Sequence, residues 1–259
     1  MPDTRQILER ADAAGRLPQL GGMARPNGIV IVSERFWAFA GVDGSLREGT
    51  MPARPEAVRR IPLVRGLARL AVSLSPMFRR TGVTRGRERA LLAFALLAPF
   101  AFILLPAPLR VPAGIVLTGA LVLWLLRGRT LRLHGAEHRA IAAVEGRQLT
   151  ATWTGLARPS RFSPRCGTNF AVLVLPVTAL AERMWPLAPA LYTPLLVTVL
   201  SLALTMELWQ AIQVSGRRLL RPLLLPGLGL QRLTTREPSL DDTQIALTAV
   251  ASVLDRELG

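Results

Sequence analysis

Residues 90–105 read ALLAFALLAPFAFILL and residues 111–126 read VPAGIVLTGALVLWLL, two runs of 16 residues without a charge, separated only by PAPLR. At 1.5 Å per residue each run covers roughly 24 Å as a helix, a little short of the ~30 Å hydrocarbon layer of a bilayer. Snorkelling arginines or a thinned bilayer would make up the difference, and the pair predicts a membrane hairpin. A second pair follows: residues 170–181, interrupted by Glu182 and Arg183 and carrying Pro176, and then the uncharged stretch 184–206. The fold class that these runs predict is a membrane α-helical protein with about four transmembrane helices and a small cytoplasmic β-containing N-terminal module.

The distribution of charge points the same way. The chain has 259 residues and a formal net charge of +15, and all 32 of its basic residues are arginine. Sixteen precede residue 90, one lies between the first two runs, eight between residues 126 and 170, one between the third and fourth runs, and six follow residue 206. Cytoplasmic segments next to a membrane hold the Lys/Arg excess, so the alternation predicts both termini and the central segment in the cytoplasm. It also predicts a partner, the lipid bilayer, with anionic lipids at the cytoplasmic face. No aromatic-interleaved basic motif or zinc-finger spacing accompanies the charge, and no nucleic acid is expected. Half of the residues are hydrophobic, which excludes a disordered chain, and the single cysteine excludes an internal disulfide. The opening segment is polar and charged without an apolar core, so no cleaved leader is expected.

The spans divide the chain into a polar extension (1–20), a cytoplasmic module (21–89), a transmembrane hairpin (90–126), a cytoplasmic segment (127–169), a second transmembrane pair (170–210) and a cytoplasmic C-terminal segment (211–259). In the module, Ile29 to Val32 and Phe36 to Ala40 are β-branched and aromatic runs followed by the turn signal Asp43-Gly44, which predicts a hairpin or small sheet. Leu63, Gly66, Leu67, Leu70 and Leu74 stand near helical spacing among Arg59, Arg60, Arg65 and Arg69, the pattern of an amphipathic helix on a membrane surface. Near the C-terminus Ser239, Asp241 and Asp242 signal a helix start. Leu247, Val250, Ala251, Leu254 and Leu258 then recur at amphipathic spacing.

The chemistry-bearing residues concentrate in the central segment. The chain's two histidines, His134 and His138, enclose Glu137 in HGAEH. On a helix, imidazoles at i and i+4 share one face, the arrangement that binds zinc in metalloenzymes. Glu137 beside them is placed to act as general base toward an activated water. The competing reading is a polar pair at the start of a helix. A third ligand is needed, and Glu145 lies roughly 10 Å further along the helix, beyond a glutamate's reach. With the topology above, Cys166 in RCGTNF and Glu207 in TMELWQ fall at the same depth as the histidines, and both are candidates. Arg165 would lower the thiol's pKa or mark the membrane boundary, and Cys166 could equally be a small buried hydrophobe.

The stretches HGAEHRAIAAVEG, RFSPRCGTNF and PGLGLQRLTTREP, with IPLVRG at residues 61–66, resemble the signature blocks of the YqhQ-like family of bacterial membrane proteins, a domain of unknown function (1385). The resemblance runs from about Leu20 to Leu254. It implies a multi-span protein of the bacterial cytoplasmic membrane and a metal-dependent activity, and the block holding His134, Glu137, His138, Glu145, Arg165, Cys166 and Thr168 is intact. One block departs. Where the family pattern reads like GGQAVIEGVMMRG, this chain has Met23 for the glutamine and Asn27 for the glutamate.

Two functions follow. In the first, the protein is a membrane enzyme, hydrolytic if catalytic, with a divalent metal such as zinc. His134 and His138 are its ligands with Cys166 or Glu207, Glu137 is the base, and Glu145, Arg165 and Thr168 support the site. In the second, it is a non-catalytic membrane scaffold or biogenesis factor whose HGAEH and RCGT fix the loop against the bundle.

Overall fold

The structure, a computed structural model, describes residues 3–53, 55–78, 82–84, 86, 89, 90, 93, 94, 97, 104–125, 129–188, 190, 192–214 and 222–259. Helix α1 (Thr4–Ala13) precedes β1 (Gly21–Arg25), β2 (Gly28–Val32), β3 (Phe36–Gly41) and β4 (Leu46–Thr50). Then come α2 (Glu56–Arg60), α3 (Val64–Phe78), α4 (Ala107–Leu125), α5 (Thr130–Gly146) and α6 (Leu149–Trp153). The chain closes with α7 (Gly167–Arg183), α8 (Thr193–Val214), α9 (Leu225–Thr234) and α10 (Leu240–Leu258).

Among the described residues the strands form an antiparallel meander in the order β1-β2-β3-β4. The β3–β4 turn is where Asp43-Gly44 signals it: Gly44 adopts φ 79°, and the Asp43 carboxylate accepts from Ser45 N–H (3.0 Å). Strand β2 is the run GIVIV, buried on both faces. Ile29 and Ile31, with Ala38 and Ala40 of β3, meet the alanine-lined faces of α5 and α10. Val30, Trp37 and Phe39 point the other way onto Val83. The small side chains of Ala136, Ala140, Ala246 and Ala249 let the two helices lie close to the sheet, and Leu247 and Leu254 fill the space between. Each of these two leucines is fully buried and contributes roughly 1.5–3 kcal/mol relative to exposure. Helix α10 begins at a reciprocal capping box between Ser239 and Asp242, and Asp242 also pairs with Arg129 and Arg132 at the start of α5.

This architecture overturns the four-span fold class. The sheet is not a module hung below a membrane bundle; it forms the main core together with the central and C-terminal helices. Among the described residues one helix, Thr193–Gln213, is long and apolar enough to cross a membrane. Most of the run 90–105 lies outside the described residues. Helix α7 has 17 residues, holds Pro176 and ends at Glu182-Arg183, and it packs on α8 and α9 through Leu173, Ile212 and Leu224. The physical reason is that hydropathy records how apolar a segment is but not what covers it. The arginine alternation has a second source as well, since several arginines bind specific partners between segments: Arg147 donates to the Ala14 carbonyl (2.6 Å), Arg139 to Glu237 (2.6 Å) and Arg65 to Glu207 (2.5 Å). Leucines on α7 and α8, such as Leu175, Leu180 and Leu196, remain exposed.

Candidate metal centre

Helix α5 carries His134, Glu137 and His138 on the side that meets β1 and the loop before α7. The two imidazoles stand with ring centroids 4.5 Å apart, as i, i+4 spacing requires. Each ring is tethered through Nδ1 to a main-chain carbonyl, His134 to Thr234 (2.8 Å) and His138 to Arg161 (2.7 Å). A carbonyl only accepts, so both Nδ1 atoms carry the proton and both Nε2 atoms present a lone pair.

Those carbonyls are held in turn. Thr234 closes α9, and a Cβ on Gly135 would collide with the carbonyl oxygen of Arg236, so the glycine of HGAEH is what lets residues 234–238 lie against α5. Arg161 is fixed by its own guanidinium, which donates to the Thr235 carbonyl (3.0 Å). The Gln231 side chain, fully buried, accepts from Ser163 N–H (2.9 Å) and donates to the Ser163 carbonyl (2.8 Å). Asn169 donates to the carbonyls of Ser163 and Pro164. These bonds fix the loop that ends at Cys166.

Cys166 is the N-cap of α7. Its thiol lies 3.3 Å from His134 Nε2, and its sulfur accepts from Thr168 N–H (3.4 Å) and Thr168 Oγ1 (3.2 Å). The ligand atoms of His134, His138 and Cys166 all lie within 4.8 Å of one another, and this group could hold a metal ion. Tetrahedral zinc sets its donors about 3.3–3.8 Å apart, so the three need to close by about 1.0–1.5 Å at most. One atom argues that they do: His138 Nε2 is buried without a hydrogen-bond partner among the described residues. Leaving such an atom unpaired costs about 1–3 kcal/mol, and a cation bound to its lone pair removes the penalty.

Glu137 lines the same cavity, of about 250 Å³, and is 5% exposed. Burial pushes its carboxyl up to about 8 and the Cys166 thiol up to about 11, the latter opposed by the two Thr168 bonds. Burial also lowers both histidines, His138 to about 4 with help from the neighbouring His134. Without a cation the site is therefore held neutral. A bound divalent ion would reverse this balance, favouring thiolate and carboxylate.

Stability of chelator-treated protein should accordingly fall as pH rises from about 6.5 to 8. Glu137 keeps its proton to about 8 when folded but loses it near 4.5 when unfolded. Across that window the folded chain binds more protons, and rising pH favours unfolding by up to about 1.4 kcal/mol per pH unit. His138, lowered to about 4 from 6.5, acts with the opposite sign but below the window. Urea titrations at pH 6.5 and 8 should show this loss in wild type and not in Glu137→Gln; an equal slope in both would assign it to another group.

The other residues singled out from sequence lie elsewhere. Glu207 accepts from Leu63 N–H (3.0 Å) and pairs with Arg65, joining α8 to α3, and it does not line the cavity. Glu145 pairs with Arg165 (2.6 Å) on the surface, with only Arg165 reaching the rim of the cavity. Met23 lines the cavity, whereas Asn27 sits in the β1–β2 turn, its carbonyl accepting from Val42 N–H (3.0 Å). Sequence reading missed Gly22: a Cβ there would lie 2.6 Å from Glu137 Cγ, so strand β1 rests directly over the carboxylate. The only signal was the glycine pair that opens the N-terminal block.

A family model described as protein of unknown function (DUF1385) matches residues 118–256. The chain is also 29% identical over 136 residues to the uncharacterized protein YqhQ of Bacillus subtilis (strain 168), covering 50% of this chain and 42% of that relative's length. No solved structure matches it.

Proposed function

The chain belongs to the DUF1385 family of proteins of unknown function, and from that premise we propose that it is a metal-dependent hydrolase, with zinc held by His134, His138 and Cys166 and with Glu137 as general base. The observation that carries this reading is the convergence of two imidazole lone pairs and a thiol on one point, with His138 Nε2 buried and unpaired. Two nitrogens and a sulfur suit zinc, and a third protein ligand leaves a position for substrate or water. When bound, the metal supplies a Lewis acid that polarises a carbonyl and makes a water more acidic.

The chain's own residues do the rest. The Thr234 and Arg161 carbonyls hold the imidazoles in the ligating tautomer. Thr168 stabilises the thiolate by donating to it twice. Glu137, buried in the cavity beside them, accepts the proton of an attacking water and holds it for the leaving group. A thiol–imidazole nucleophile made of Cys166 and His134 is the second reading, favoured by their 3.3 Å contact. It gives His138 no role. For location we infer a membrane, with α8 as the anchor.

The test is to extract the full chain from membranes with detergent, strip it with chelator and load cobalt(II). A sulfur-to-cobalt charge-transfer band that disappears in Cys166→Ser is the expected result. Absence of the band in folded wild-type protein would overturn the metal site, and recovery of the protein without detergent would overturn the location.

A further inference from the structure

Strand β1 ends the sheet, and its backbone lies in the wall of the cavity. In an antiparallel ladder, alternate residues turn their N–H and C=O toward the partner strand and the residues between turn both groups away. The parity here is set by the bonds around β2. Ser33 N–H donates to Phe36 O and Val42 N–H to Asn27 O, so Asn27, Ile29, Ile31 and Ser33 face β3. Gly28, Val30 and Val32 then face β1, where their partners are Arg25, Met23 and Gly21. Gly22 and Ala24 are left with N–H and C=O directed to the open edge, and none of these four groups makes a hydrogen bond to the described residues. Both residues line the cavity that holds Glu137, His134 and His138.

An open edge is a template for another strand, and folds normally blunt it with charge, proline or a covering element. At Gly21 and Gly22 the edge has no side chain at all, and Gly22 lies against Glu137. The cavity, about 250 Å³, is smaller than the roughly 300–1,000 Å³ of pockets that enclose a small molecule. A substrate that lies along an edge and sends one group inward fits this shape better than one swallowed whole.

Resting on the hydrolase reading above, we propose that the substrate is an extended peptide segment that adds to β1 as a fifth strand, pairing with Gly22 and Ala24 and presenting one of its carbonyls to Glu137 and the histidine pair. Main-chain pairing supplies the affinity, so sequence selectivity comes from the few side chains that meet Met23 and Ile141. In the reaction the water oxygen bonds to the peptide carbonyl carbon, and the C–N bond breaks. Glu137 passes the water's two protons in turn to the departing nitrogen, and the products are a carboxylate and a protonated amine.

The test uses the zinc-loaded full chain with two probes, an internally quenched decapeptide library of mixed sequence and p-nitrophenyl acetate. Ala24→Pro removes one outward N–H while leaving every bond to β2 in place. Both probes should be turned over by wild type, and Ala24→Pro should lower the ratio of peptide to ester kcat/KM about tenfold. Should that variant fail to fold, hydrogen exchange in Glu137→Gln decides: adding the library should slow the Gly22 and Ala24 amides at least tenfold. Ester turnover without peptide turnover, or a ratio and exchange rates that do not move, overturns the peptide substrate and leaves the hydrolase standing. Zinc-loaded protein that turns over neither probe removes the hydrolase reading, and the peptide inference with it.

Discussion

Glu137→Gln is expected to lower kcat by a factor of about 10²–10⁴ while zinc content and melting behaviour hold or improve. A positioned general base contributes that much to a hydrolytic step, and the amide cannot accept the proton. The substitution is nearly isosteric, so β1 keeps its seat above the side chain at Gly22. In chelator-stripped protein it also removes a carboxyl that burial holds far from its ordinary range, so that form should gain rather than lose stability at pH 8. Steady-state kinetics with p-nitrophenyl acetate, beside elemental analysis of the same samples, check both halves. The scaffold alternative expects ester turnover at background level in wild type and variant alike.

Only part of this was legible in the sequence. The β-branched run Gly28–Val32 and the Asp43-Gly44 turn read directly as strand and turn because their residues have local preferences that the tertiary structure does not override. Strand β1 did not, since GGMAR has neither β-branched residues nor alternation; it is a strand because it pairs with β2 and because Glu137 fills the space above Gly22. The histidine pair was readable from spacing alone, as helical periodicity is a local property. Cys166 and Glu207 were placed beside it by a topology the fold does not have. The loop clamped by Gln231 and Asn169 brings Cys166 to the histidines, whereas Arg65 holds Glu207 at the α3–α8 contact. The four-span reading went astray for a related reason. The predicted span 170–181 falls in α7, which packs on α8 and α9 through Leu173, Ile212 and Leu224, and a hydropathy count carries no record of that partner.

The second large effect concerns the ligands. His138→Ala removes one of three donors and leaves His134 and Cys166 to hold the ion, so zinc affinity should fall at least about 100-fold. His134→Ala should do the same and also free the Cys166 thiol from its 3.3 Å contact. Neither change reaches the sheet core, and both remove a buried ring whose only described hydrogen-bond partner on the Nδ1 side is a main-chain carbonyl, so the variants should fold. The measurement that bears most directly on the metal centre is therefore elemental analysis of full-length protein purified without chelator, wild type beside His138→Ala. The expected result is close to one equivalent of zinc per chain in the wild type and almost none in the variant. Folded wild-type protein that carries no metal even after incubation with zinc, or a variant that retains the wild-type amount, would contradict it.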